Sequence, residues 1–318
     1  MEIWEYNRRY NLLRLVVDAC TRASYRHLCV KGQIPHEGAV IIAPNHTNTL
    51  MDALVVLQTR RTATIFGARA DIFRKPWANA ALRFLRILPL TRERDGLSTV
   101  TDNYQTFDEV DGALNAGFPF CLFPEGRHHP DRTILPIAKG VARMAVRSAC
   151  SRPTFIVPTG INYSHFFRYR GACELIYGEP IDVNALMHEH PELNEQQLYQ
   201  LLREELKARL EKLVHPQALE NPLGWRSLLM PLWPAAALLS LPLWLPAEVI
   251  CHKIADKAFA NTARYVVLLL LGPVFLLLLS VLFFCLLPWW LALALSVAFL
   301  PSYPLFYDGL LLFRRGDK

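Results

Sequence analysis

The hydropathy of the chain breaks about two-thirds of the way along, and this break constrains the fold more than any motif does. Residues 1–225 mix polar and apolar side chains as an ordinary globular chain does, whereas residues 228–312 are almost continuously apolar. The stretch 265–287 carries no charge and is long enough as a helix to cross about 30 Å of hydrocarbon. Residues 288–290 read "PWW", tryptophans suited to a headgroup interface, and 290–313 form a second apolar stretch with prolines at 301 and 304. Lys253, Lys257 and Arg264 precede this pair, and Arg314, Arg315 and Lys318 follow it. Cations on both flanks put both flanks on the cytoplasmic side, so the pair reads as a transmembrane hairpin. The earlier segment 228–247 has the length of a span but holds four prolines, at 231, 234, 242 and 246. A full crossing there would put the basic 248–264 linker and the first 225 residues on opposite faces. It is therefore expected to be re-entrant or interfacial.

The net charge of +6 suits an anionic partner, and the apolar third points to lipid rather than nucleic acid. No aromatic-and-glycine RNA signature or zinc-finger spacing is present. The seven cysteines form no C-x-x-C pair and read as reduced, buried small residues. The N-terminus has acids and arginines where a signal peptide needs an apolar core. These features lead us to expect a bacterial cytoplasmic (inner) membrane, with the functional site facing the cytoplasm.

Residues 10–30 show apolar residues at helical spacing, interspersed with Arg14, Arg22 and Arg26. Two readings fit equally: a helix flat on an anionic membrane, or one packed on the main domain. We assign 1–34 to this N-terminal element, 35–225 to the main domain and 226–318 to the membrane region. Within 35–225, strand-like runs at 39–44, 62–68, 86–92, 118–124, 154–163 and 173–181 alternate with helix-like runs at 49–60, 76–85, 97–116, 136–149 and 195–214. This pattern predicts an α/β fold with a largely parallel sheet flanked by helices. Chemistry in such folds gathers where strands end.

Four strand ends hold candidate residues. "NHTNTLMD" (45–52) follows the first strand and should lead into a helix capped by Asn48 or Thr49. A carboxylate from Asp52 bonded to one ring nitrogen of His46 would fix its tautomer and free the other as a base. Alternatively, Asp52 only stabilises the helix start and His46 is a turn residue. In "RILPLTRERDG" (86–96), Arg92 falls at a strand end and suits phosphate, with Arg94 its equal as a solvated cation. In "CLFPEGRHHPDRTILPIAKG" (121–140), Glu125 and Gly126 end a strand; Gly126 permits close backbone approach, and Arg127 can make planar phosphate contacts. In "FIVPTGINY" (155–163), Pro158 interrupts a strand and shapes a groove wall or marks an edge. His128, His129 and Asp131, like the "HEH" at 188–190, lack H-E-x-x-H spacing and are read as surface residues. No metal is expected.

Taken in order, N-H-x-x-x-x-x-D, a strand ending in arginine, F-P-E-G and a V-P strand resemble the glycerophosphate and lysophospholipid acyltransferases (the PlsC-like family) over roughly residues 35–215. The resemblance implies His46 as catalytic base with Asp52 its partner. It implies Arg92, Glu125 and Gly126 as glycerol phosphate ligands, with Arg127 beside them, and places Pro158 in the fourth block. The reaction implied is O-acyl transfer from an acyl thioester, acyl-CoA or acyl-carrier protein, to a glycerol-backbone hydroxyl, with no other cofactor. Two features depart from the common pattern: five residues rather than four separate His46 and Asp52, and "EGR" replaces E-G-T. The longer spacing resembles a subgroup, some of whose members act on glycerol 3-phosphate. The expected acceptor is a lysophosphatidate-type lysophospholipid in phospholipid synthesis, with glycerol 3-phosphate the alternative. A rival from another class is a non-catalytic lipid-binding scaffold, against which the intact His46, Asp52 and Glu125 set speaks. A small transporter is disfavoured by the lack of charged pairs inside the spans. Membrane lipids and the acyl donor are the expected partners; the sequence is silent on oligomeric state.

Overall fold

The computed structural model describes residues 2–59, 63–91 and 100–313, with side chains from 106 to 310 in the last stretch. The first half comprises α1 (Arg8–Ser24), β1 (His27–Lys31), β2 (Ala39–Pro44), α2 (Leu50–Gln58), β3 (Ile65–Arg69), α3 (Pro76–Phe84), β4 (Ile87–Leu90), α4 (Val100–Asn115) and β5 (Phe120–Cys121). There follow α5 (Lys139–Ala149), β6 (Thr154–Tyr163), β7 (Ala172–Tyr177), β8 (Ile181–Asp182), α6 (Val183–Glu189) and α7 (Glu195–Leu213). The C-terminal helices are α8 (Trp233–Lys253), α9 (Ala260–Leu286) and α10 (Trp289–Phe313).

The strands form one sheet in the order β1-β7-β6-β2-β5-β3-β4, with β8 also on β6. All pairs are parallel except β6 with β7 and β6 with β8. The largely parallel sheet flanked by helices is therefore present. All six residues of β2 are buried, as a central parallel strand requires when both faces are covered. Its alternation divides them: Ala39, Ile41 and Ala43 pack with α4, α5 and α7 on one face, while Val40 and Ile42 pack with α2 on the other. Tyr265 of α9 joins that second face and is 1% exposed. The C-terminal helices are thus packed into the domain core as well as following it in sequence.

Several expected bounds shift. The helix expected over 10–30 stops at Ser24, and His27–Lys31 is an exposed edge strand beside β7. A short apolar run gives no periodicity that separates strand from continuing helix. In α1, Tyr10, Thr21 and Ser24 are buried against the domain, while Leu12 and Leu15 are exposed. Three of the seven free cysteines, Cys29, Cys150 and Cys285, are exposed rather than buried. The run expected at 173–181 is two pieces, β7 and β8, broken at Gly178–Pro180.

Three helical stretches, Gly224–Lys253, Lys257–Leu286 and Trp289–Leu310, are long and apolar enough to cross a membrane. The first begins as a 3-10 helix and continues into α8 through Pro242 and Pro246 without a break. α8 packs against α10. Trp233 donates to the Phe306 carbonyl at 3.0 Å, the Trp244 and Phe306 rings are 5.7 Å apart, and Glu248 accepts from Tyr307 at 3.2 Å. Both ends of this segment also touch the sheet domain, through the Asn221 carbonyl on Arg26 and through Asp256 on His128.

The end of α10 is fastened by a buried charge cluster. Asp308 accepts from Arg26 Nε at 3.1 Å and from Arg170 Nε and Nη2 at 3.0 and 2.8 Å. All three side chains are at most 5% exposed. Removing one member of a buried ion cluster leaves charge uncompensated, at a cost of about 3–5 kcal/mol. Asp308→Asn keeps the shape and deletes the charge, so the detergent-solubilised variant should unfold at a clearly lower temperature than wild type. An unchanged midpoint would show that the cluster does not hold α10 to the domain.

Candidate active site

β2 is pinned on both sides before the chain turns at Asn45. The Asn45 side chain donates to the Ile161 carbonyl at 3.1 Å and accepts the Ile161 N–H at 2.6 Å, so the turn is fixed to β6. His46 follows, its side chain 18% exposed, with Phe123 stacked on the imidazole at 4.2 Å. Asp52, in the first turn of α2, is fully buried and points back into the same turn.

Four donors converge on that carboxylate. Oδ2 lies 2.8 Å from His46 Nδ1 and accepts the Thr47 and Asn48 N–H groups at 2.8 and 2.7 Å. Oδ1 accepts the Tyr163 hydroxyl at 2.7 Å. An ionised carboxylate only accepts, so Nδ1 carries the proton, and in the neutral imidazole Nε2 then keeps its lone pair. The two readings of this stretch therefore coincide: Asp52 closes the turn at the helix start and orients the histidine. The expected caps do not form. Asn48 is bonded through its backbone, and Thr49 makes no side-chain cap bond. Thr49 instead adopts φ 47°, ψ −124°, a conformation that costs a β-branched residue about 1–3 kcal/mol. With His46 and Asp52 in contact despite five intervening residues, this is where the longer spacing is absorbed.

Glu125 enters the site from the end of β5. Its carboxylate accepts the His46 N–H at 2.9 Å and the Leu135 N–H at 3.0 Å, so both oxygens fasten backbone. Burial pushes its pKa up, and those two N–H groups together with the nearby histidines offset part of the rise. Gly126 has φ +67°, which explains the glycine, but its N–H donates to the Phe123 carbonyl at 3.1 Å and is not free for an anion. Arg127 is exposed. Arg92 lies outside the described residues. Pro158 is buried beside Ala43 of β2, between the β8 pairing at Ile156 and the β7 pairing at Thr159. It occupies the notch where the partner strand breaks, which is where a missing N–H is tolerated. The sheet thus brings His46, Asp52, Glu125 and Gly126 together.

Sequence reading missed Tyr163 and His128. Tyr163 ends β6, so its place on the same sheet edge was visible only once β6 was known to adjoin β2. Burial, and the negative charge of Asp52 beside it, drive its pKa well above the ordinary tyrosine value, so it remains a donor. His128 lies edge-on to His46 at 6.2 Å and pairs through Nε2 with Asp256 at 2.8 Å.

Residues 27–162, from β1 almost to the end of β6, match the family model described as Acyltransferase. The match takes in less than half of the chain. Two curated relatives from Saccharomyces cerevisiae are named glycerol-3-phosphate O-acyltransferase 2, 40% identical over 87 residues, and glycerol-3-phosphate O-acyltransferase 1, 33% identical over 87 residues. Each match covers 26% of this chain and 12% of the relative, so the likeness spans about an eighth of those proteins. An uncharacterized acyltransferase of Schizosaccharomyces pombe is 34% identical over 85 residues, 26% of this chain and 13% of that one. These relatives are yeast proteins and give no support to the expectation of a bacterial membrane. Among solved structures, the 1-acyl-sn-glycerophosphate (LPA) acyltransferase PlsC from Thermotoga maritima aligns with a TM-score of 0.46 and 22% identity, over 64% of this chain and 79% of that one.

Tyr163→Phe removes one donor from a fully buried carboxylate, and an unsatisfied charged acceptor costs at least about 1–3 kcal/mol. The variant should melt measurably below wild type at pH 7. An equal melting temperature would mean that Asp52 does not depend on this bond.

Proposed function

We propose that this protein is a membrane-bound O-acyltransferase of glycerolipid synthesis, moving a fatty acyl group from an acyl thioester to a hydroxyl of a phosphorylated glycerol backbone. The reading rests on the His46–Asp52 contact, in which Nδ1 faces the carboxylate and Nε2 is the ring nitrogen left for a substrate proton at the end of a central strand. Nε2 takes the proton of the acceptor hydroxyl as its oxygen attacks the thioester carbonyl. The buried Asp52 charge stabilises the imidazolium that forms. The tetrahedral intermediate collapses, the C–S bond breaks, and the thiolate leaves with the proton returned by His46. The donor is acyl-CoA or acyl-carrier protein, and no further cofactor enters the scheme.

Glycerol 3-phosphate is the acceptor favoured by the five-residue His–Asp spacing and by the two yeast relatives whose names carry that activity. A lysophosphatidate-type lysolipid is the second reading, favoured by the apolar helices beside the site. We place α9 and α10 across the bilayer as a hairpin. α8, whose flanks are tied to the sheet domain through Asn221 and Asp256, lies at the interface. This arrangement keeps the site at the cytoplasmic surface, where lipid acceptors and products reside. Arg92 and Arg127 are the proposed phosphate contacts, and Glu125 and Gly126 shape the backbone beside them. Pro158 keeps the groove wall in register.

Purified protein given labelled acyl-CoA should yield a monoacylated product from glycerol 3-phosphate, and His46→Gln should lower the rate by about 10²–10⁴-fold. Phosphatidate formed from lysophosphatidate alone would move the assignment to the second acceptor. Equal products from wild type and His46→Gln, or none with either acceptor and either donor, would favour a non-catalytic scaffold.

A further inference from the structure

The turn that carries His46 and Asp52 is held from outside the acyltransferase domain. Thr49 is 6% exposed and sits at positive φ between the two residues. Its hydroxyl lies 2.9 Å from Thr262 Oγ1 and donates to the Ala258 carbonyl at 3.3 Å. Both partners belong to the start of the apolar helical pair: Ala258 to the turn before α9, and Thr262 to its first turn. With one hydroxyl proton committed to Ala258, Thr262 is the donor in the second bond. Within the turn itself, the Thr49 side chain makes no cap bond to offset its unfavourable backbone.

The start of α9 is anchored independently of this contact. Asn261 donates to the Phe166 carbonyl at 2.8 Å, and Arg264 donates to the Phe167 carbonyl at 3.2 Å. Arg264 also pairs with Glu248 of α8 at 2.8 Å, and Tyr265 is buried against the sheet. A second tie runs from the same turn to the far side of the histidine. Asp256 holds His128, whose ring stands edge-on to His46 and, at 5.5 Å, to Phe259.

We propose that Thr262 at the start of α9 is a positioning residue of the active site: by clamping Thr49 in its strained conformation, it holds Asp52 against His46. The apolar pair then completes the site as well as anchoring it, and its contribution persists in detergent, where anchoring is irrelevant. A rigidly placed element can maintain a conformation the local chain disfavours only if the surroundings over-determine it. Glycine at 49 would adopt positive φ unaided, so the clamp should matter only while a β-branched residue stands there.

The kinetic arm of the test rests on the acyl-transfer reading; a spectroscopic arm does not. Thr262→Val, close to isosteric, should lower kcat about tenfold, or about 1.4 kcal/mol, with KM little changed. Thr262→Ser should restore the rate. In a Thr49→Gly background, Thr262→Val should change kcat less than twofold. The proposal is overturned if Thr262→Val leaves kcat unchanged, or lowers it equally in both backgrounds. Without substrate, the Nδ1 proton resonance of His46, assigned with His46→Gln, should be resolved in wild type and Thr262→Ser and lost to solvent exchange in Thr262→Val. An unchanged resonance in Thr262→Val overturns the clamp whether or not the protein transfers acyl groups. Absence of acyl transfer with that resonance lost would leave the clamp standing and remove only the proposed function.

Discussion

Everything around the site depends on one buried carboxylate. Asp52 is fully buried, and an ionised group so placed is tolerable only when its lone pairs are filled. The fold fills them from three directions: two backbone amides of its own turn, a tyrosine from β6 and the imidazole of His46. The strand order makes this feasible. β2 adjoins β6 on one side and β5 on the other, so Tyr163 and Glu125 reach the same turn from opposite neighbours. Each bond that satisfies the charge also orients the histidine, so the stability of the turn and the chemistry of Nε2 share one set of contacts.

The same economy joins the sheet domain to the apolar helices. Asp308 pairs with two buried arginines, Arg26 and Arg170, and Tyr265 fills the sheet face of the domain. Thr262 and Asp256 reach the catalytic turn itself. Residues 27–162 carry the family match, yet the turn between β2 and α2 has part of its support from Ala258 and Thr262, outside that match. A site supported in this way responds to how the helices are seated, which suits chemistry at a lipid surface.

The parts legible in the sequence were those set by local pattern. The bounds of β2 could be read because it is a continuous apolar run closed by a polar turn, and His46 and Asp52 because they follow that end. What could not be read depended on neighbours distant in the chain. Tyr163 looked like the last residue of a strand, and its partner was identifiable only from the sheet order. Glu125 suggested a ligand contact, but its two oxygens are taken by backbone N–H groups at positions 46 and 135. β1 was absorbed into the preceding helix because an exposed edge strand of five residues leaves no distinct period. The prolines at 242 and 246 do not interrupt α8, whose helix continues through both.

The most direct test of the account is the turnover rate of Asp52→Asn, measured with saturating acyl donor and acceptor. Asparagine keeps the shape of the buried group and removes the charge that stabilises the imidazolium. The account predicts a fall in kcat of at least about 10²-fold, with the protein still folded. A folded variant turning over within twofold of wild type would contradict it, because His46 would then act without the carboxylate on which the site is built.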